Sequence, residues 1–248
     1  MYRFIKFKKL DDFSLDDLNN CTASFGLFSI FSDQHEFDGL VDSKYLNEKY
    51  NDSSITDKNV IEVMVKHINE QYLQFSLAKL SDEFNHEDVM PKMYKDYCGG
   101  NGFVLYYEFN NVQEVYSYFK GLYPLFIDVQ YEKDGLNLTG FYDCLLQCAG
   151  EDNFDDARFQ ELLEENGYKD DLLHFMARKT HYPKRYENES RIIIQKNDKM
   201  NIAGNHFSVP FAKPTTVCIP HSLSEKDKYK LTKICNKNRI EYKFIGYI

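Results

Sequence analysis

The stretch EDVMPKMYKDYCGGNGFVLYYEF, residues 87–109, decides the fold class. Glu87 to Tyr97 reads as a helix with Pro91 in its first turn or at a kink, and Gly99, Gly100 and Gly102 stop it. Phe103 to Phe109 follows as a strongly apolar, central strand. The glycines precede a strand instead of following one. They therefore lack the strand–turn–helix context of a phosphate-cradling loop in a doubly wound sheet.

Upstream, Tyr2 to Phe7 reads as a strand, with Ser14 capping a short helix after it. Phe25 to Phe31 is a second apolar run. Asp57 to Gln71 is an amphipathic helix with Val60, Val63, Met64 and Ile68 at helical spacing and Asp57 as its cap, and a strand follows at Tyr72 to Leu77. Downstream come a strand at Ile127 to Tyr131, helices between Gly140 and Met176, and strands at Arg191 to Gln195 and Thr216 to Ile219. A capped helix at Ser224 to Asn236 and a strand at Glu241 to Ile245 close the chain. Strands and helices mix without a βαβ rhythm, which predicts an irregular α+β fold, with mixed sheets and surrounding helices, in a single domain over 1–248.

The formal charge is −9, from 39 acidic and 30 basic residues, which argues against sequence-blind binding along a nucleic-acid backbone. The one strongly basic stretch runs from Arg178 to Arg191 and holds Lys179, Lys184 and Arg185. None of the six cysteines has the two-residue spacing of most structural zinc sites, so reduced thiols are expected. Met1 to Lys9 alternates aromatic and basic residues, unlike a leader or a membrane span, and the expectation is a cytoplasmic protein with no membrane partner.

Four segments, in order along nearly the whole chain, resemble the bacterial family catalogued as domain of unknown function 2971. Phe31-Ser32-Asp33-Gln34-His35-Glu36 is similar to its Phe-Asn-Asp-Pro-Phe-Glu motif, and Gln74-Phe75-Ser76 to a Cys-Phe-Ser strand end. Met90 through Tyr94 to Gly102 and on to Glu108-Phe109 resembles its Met-Trp-x-x-Tyr helix, glycine and Glu-Phe strand end. Tyr186-Glu187-Asn188-Glu189-Ser190-Arg191 looks like its Tyr-Glu-x-Glu-x-Arg strand, with Lys179 matching an upstream Lys. The chain departs from the pattern at Gln34, Gln74, Pro91 and Lys184. The resemblance implies a toxin or phage-defence context, with an antitoxin or defence-system partner.

The Glu-x-Glu spacing carries a chemical expectation. Breaking the bond between nicotinamide and ribose develops positive charge on the ribose, which one carboxylate can stabilise while a second orients or deprotonates the nucleophile. On a strand, Glu187 and Glu189 would share a face. An early Arg, a middle Ser and a late Glu-x-Glu follow the chain order of one branch of ADP-ribosyltransferases, which Arg3, Ser76 and Glu187/Glu189 resemble. That reading makes NAD the cofactor, held by Arg3, whose planar fork suits phosphate, by Ser76, and by Tyr2 or Tyr186 stacking on nicotinamide. Lys179, His181, Arg185, Arg191, Asp33 and Glu36 are the candidate contacts to a macromolecular target, protein or nucleic acid.

Two alternatives stand beside it. Glu187, Glu189 and Arg191 also read as a plain exposed ion-pair ladder, and the same polar cleft as the recognition surface of a non-catalytic sensor or interaction module that binds a phage component or partner protein. Asp33, Glu36, Glu187 and Glu189 could instead converge on divalent ions in a nuclease.

Overall fold

The computed structural model describes residues 1–28, 39–51, 57–80, 86–131, 136–149, 158, 161–162, 172, 178–179, 182–198, 200–202 and 205–246. β1 (Tyr2–Lys9) is followed by α1 (Asp12–Asn20), β2 (Thr22–Gly26), β3 (Gly39–Leu40), α2 (Ser43–Tyr50), α3 (Asp57–Gln71) and β4 (Tyr72–Lys79). Then come α4 (His86–Cys98), β5 (Gly102–Phe109), α5 (Val112–Ser117), β6 (Leu125–Asp128), β7 (Gln130–Tyr131), β8 (Leu136–Asn137) and α6 (Thr139–Ala149). β9 (Arg178–Lys179), a 3-10 turn (Tyr182–Glu187), β10 (Glu189–Gln195), β11 (His206–Pro210), β12 (Thr216–Pro220), α7 (Glu225–Asn238) and β13 (Glu241–Ile245) complete it.

Local chemistry sets the boundaries. Asp11, not Ser14, caps α1: its carboxylate accepts the Ser14 amide at 2.7 Å, and Ser14 is buried in the first turn. α7 has the expected Ser224 cap, whose Oγ accepts the Asp227 amide at 3.2 Å. Pro91 lies inside α4. Gly99, at φ +59°, ends that helix in the left-handed region, and its amide returns to the Lys95 carbonyl at 2.9 Å. At Gly102 the requirement is space, because a Cβ would stand 2.2 Å from the Lys8 carbonyl oxygen and 2.7 Å from Cys98 Sγ.

The chain falls into two compact units, one from 1–26, 73–128 and 186–248, the other from 27–72 and 129–185. The first holds a nine-stranded mixed sheet in the order β11-β2-β4-β1-β5-β12-β13, with β10 paired to β4 and β6 to β10. β1 runs antiparallel to β4 and β5, whereas β12 and β13 are parallel, with α7 as their crossover. The fold is thus α+β with a mixed sheet. In the second unit, β3 pairs β8 and β7 pairs β9 in short parallel ribbons. There Asp143 of α6 accepts Lys49 of α2 at 2.7 Å and the Tyr50 hydroxyl at 2.8 Å, a clamp that lowers the Asp143 pKa and raises that of Lys49.

Two cores cover the central strands of the first unit. On one face Phe4, Phe25, Phe75, Tyr107, Phe109, Phe119 and Phe211 form a network of ring contacts between about 5 and 6 Å, of which Phe119 on Phe211 at 5.3 Å is one. On the other, Ile5, Phe7, Ala78, Val104, Cys218 and Ile245 pack against Met90, Met93, Tyr94 and Cys98 of α4. Burial pushes the Cys98 thiol up to about 12 and those of Cys218 and Cys235 to about 11, so these three are packing residues held as neutral thiols.

Candidate functional site

Glu187 and Glu189 do not share a strand. Glu187 ends the 3-10 turn, and Asn188, left-handed at φ 44°, changes the chain direction before β10 starts at Glu189. The period-two argument fails at that bend. Asn188 is latched to β4: it accepts the Lys79 amide at 2.8 Å, and its Nδ2 donates to the Lys79 carbonyl at 2.7 Å. On the other side of β4 the Leu80 amide donates to the Arg3 carbonyl at 2.8 Å. Arg3 and Asn188 thus flank one strand end, roughly 10 Å apart across the sheet at two strand spacings.

Side-chain alternation then assigns faces. Lys79 pairs with Phe4, and its ammonium reaches Asp128 at 2.6 Å. Ser190 pairs with Asp128 and donates to the same carboxylate at 2.5 Å, so Ser190 shares the face of Lys79 and Phe4. Glu189 and Arg191 therefore point to the opposite face. Gln74 and Ser76 of β4, four and two residues before Ala78, point there too, as does Arg3, two residues before Ile5. One face of three neighbouring strands thus carries Arg3, Gln74, Ser76, Glu189 and Arg191.

Both charges on β10 are buried. Arg191 is 0% exposed and Glu189 8%, and the guanidinium meets the carboxylate through Nε at 3.0 Å and Nη2 at 3.4 Å. The expected exposed ladder is instead an interior ion pair, with the Arg191 guanidinium fully buried. Glu187 is also buried, at 1%.

Sequence reasoning missed Lys6, Asp17 and Gln74. Lys6, partly buried, donates to the Ser76 carbonyl at 2.6 Å and lies 4.8 Å from the centre of the Phe75 ring. Burial, reinforced by Lys8, pushes its ammonium down to about 7, against the opposing pull of Glu189 and Asp17. Asp17 gathers Lys8 Nζ at 2.6 Å, Thr22 Oγ1 at 2.7 Å and Ser24 Oγ at 2.6 Å. Alternating lysines in β1 were a usable signal, since Lys6 and Lys8 share the face of buried Phe4. Gln74 is 1% exposed, and neither its Oε1 nor its Nε2 has a hydrogen-bond partner; the buried Ser76 Oγ has none either.

The remaining expectations divide. Tyr2 lies on the face opposite Arg3, stacked on Phe4 at 6.4 Å with Lys79 5.9 Å from its ring centre, so alternation removes it from the Arg3 group. Tyr186 is turned to α4, its hydroxyl donating to Asp96 at 3.0 Å and its ring carrying Lys92 Nζ at 3.9 Å. Arg185 is exposed on the 3-10 turn. Lys179 sits on β9 of the second unit, so the basic stretch is divided between the units. The side chain of Lys179, and Asp33, Glu36 and His181 altogether, lie outside the described residues. Among the described residues no group of three His, Cys, Asp or Glu is placed to hold a metal ion, and no helix is long and apolar enough to cross a membrane.

The fold and these residues define a mixed-sheet α+β protein in which Arg3, Gln74, Ser76, Glu189 and Arg191 share a sheet face with the apolar core of Ile5, Phe7 and Ala78 under α4. No family model matches the chain, and comparison with curated proteins and with solved structures gives no match.

Proposed function

We propose that this chain is a NAD-dependent ADP-ribosyltransferase of a toxin or phage-defence system, moving ADP-ribose to a macromolecular target, protein or nucleic acid. The observation that carries the reading is the convergence of Arg3, Ser76 and Glu189, distant in sequence, on one face of β1, β4 and β10. Arg3 supplies a bidentate anion clamp for the dinucleotide phosphates. Glu189, oriented by Arg191 in a low-dielectric setting, stabilises positive charge developing on the ribose. The donor supplies the ADP-ribosyl group and leaves as nicotinamide. Buried hydrogen-bonding groups at Gln74 and Ser76 fit a polar ligand on this face.

The test is incubation of the pure protein with labelled NAD and cell extract, reading label on protein, RNA and DNA. Glu189→Gln is expected to lower transfer by at least a hundredfold, within the roughly 10²–10³ range for loss of a preorganised electrostatic group. Because Glu189 also holds Arg191, its variant's melting curve is recorded alongside. Arg3→Lys leaves the ion pair intact and is expected to weaken NAD binding. Full transfer by folded Glu189→Gln refutes the assignment.

A second reading has its own observation. The double contact from Arg191 to Glu189 suits a carboxylate that only holds the strand, as in a sensor module that binds a partner without turnover. It predicts partner capture on pull-down with no dinucleotide binding in a calorimetric titration.

A further inference from the structure

Gln74 is a polar side chain with nothing to bond. It is 1% exposed, both ends of its carboxamide lack a hydrogen-bond partner, and Ser76 Oγ two residues on is buried in the same condition. Folding strips water from such groups, and each buried orphan costs about 1–3 kcal/mol unless a partner replaces the lost water. An apolar residue would fill the same place without that penalty. The same sheet face accepts them: Ala78 of β4 and Ile5 and Phe7 of β1 are all buried.

The chemistry of the missing partner follows from the donor set. A carboxamide presents an acceptor and an N–H₂ donor side by side in one plane, and its complement is a planar edge carrying a donor next to an acceptor. Primary amides have such an edge, and so does adenine through its amino group and adjacent ring nitrogen. Ser76, on the same face one strand repeat away (about 7 Å), adds a hydroxyl that donates or accepts. Charge complementarity plays no part at these two positions, so they select by hydrogen-bond pattern, while Arg3 and Glu189 on the flanking strands act on charge.

We infer that Gln74, assisted by Ser76, is the specificity-determining residue of this face and reads the amide-like edge of its ligand. The inference rests on the NAD reading for the identity of that ligand, which carries two such edges, the nicotinamide carboxamide and adenine. Lys6 is the positioning residue beneath it, since its ammonium holds the Ser76 carbonyl at 2.6 Å and so fixes the stretch of β4 from which both side chains project.

The experiment compares wild type with Gln74→Met, which keeps the length of the side chain and removes both polar atoms. Thermal melts are taken without ligand, with nicotinamide and with adenosine, and affinities for NAD are measured by calorimetry. Unliganded Gln74→Met is expected to melt at or above wild type. At least one probe is expected to raise the wild-type midpoint and leave the variant unmoved, which identifies the edge being read, and NAD affinity is expected to fall by about tenfold to a hundredfold. Wild-type affinity in the variant, with NAD bound by both, overturns the inference and leaves the transferase reading standing. Wild type that ignores NAD but responds to nicotinamide or adenosine, with the variant unresponsive, overturns the transferase reading and supports the inference. A variant that melts well below wild type, with no probe shifting either protein, means that internal water satisfies the amide, and the inference fails.

Discussion

Replacing Lys6 with Met should produce a stability difference that depends on pH. The ordinary lysine value of 10.5 falls to about 7 in the fold, chiefly through burial. At about 1.4 kcal/mol per tenfold change in proton affinity, the folded chain carries that charge at a disadvantage of about 5 kcal/mol relative to the unfolded chain. The unfolded chain keeps the proton up to the ordinary value, whereas the folded one releases it near 7. Between those limits the unfolded state binds more protons, so stability attributable to Lys6 rises with pH and falls again as pH drops toward 7. Urea denaturation of wild type and Lys6→Met at pH 6.5, 8.0 and 9.5 isolates this residue, because every other group titrates in both proteins. The variant should be at least as stable as wild type at pH 6.5. Wild type should then gain on it by about 1 kcal/mol for each pH unit above 7. The bond to the Ser76 carbonyl and the Phe75 ring contact favour the protonated form and weaken as the proton leaves, while packing of the methylene stem sets the constant part of the gap. A gap that stays level from pH 6.5 to 9.5 would refute the reasoning, for it would mean that the ammonium is solvated.

The ion pair on β10 yields a second outcome: Glu189→Gln should destabilise by up to about 3–5 kcal/mol, because buried Arg191 loses the carboxylate it meets at 3.0 Å, and Glu189→Leu combined with Arg191→Met should recover most of that loss in chemical denaturation. Gly102→Ala should destabilise by more than about 2 kcal/mol, since backbone as well as a side chain blocks the new Cβ, whereas Gly140→Ala, at a helical position with nothing within 4 Å, should be neutral or stabilising by up to about 1 kcal/mol in thermal melts.

Periodicity and punctuation were enough to locate α3, α4, β5 and α7 and to place them in an irregular α+β fold, because those signals are local: apolar spacing, a capping hydroxyl, glycines at a helix end. β11 escaped notice, having five residues, one of them Ser and the last Pro. The same locality explains the error at Ser14, where an Asp three residues earlier caps the helix and draws Ser14 into its first turn. Alternation along one strand correctly joined Glu189 to Arg191 but could not foresee that Asn188 would turn left-handed and remove Glu187 from the strand.

What tertiary structure alone decided is neighbourhood. Strand period says which side chains share a face within a segment and nothing about which segments lie side by side, and β1, β4 and β10 meet across separations of about seventy and more than a hundred residues. Burial is equally a property of the assembled sheet. Arg191 as an interior ion, Lys6 as a lysine that gives up its proton near neutral pH and Gln74 as an amide without a partner each depend on water excluded by residues remote in the chain, and composition cannot report that exclusion.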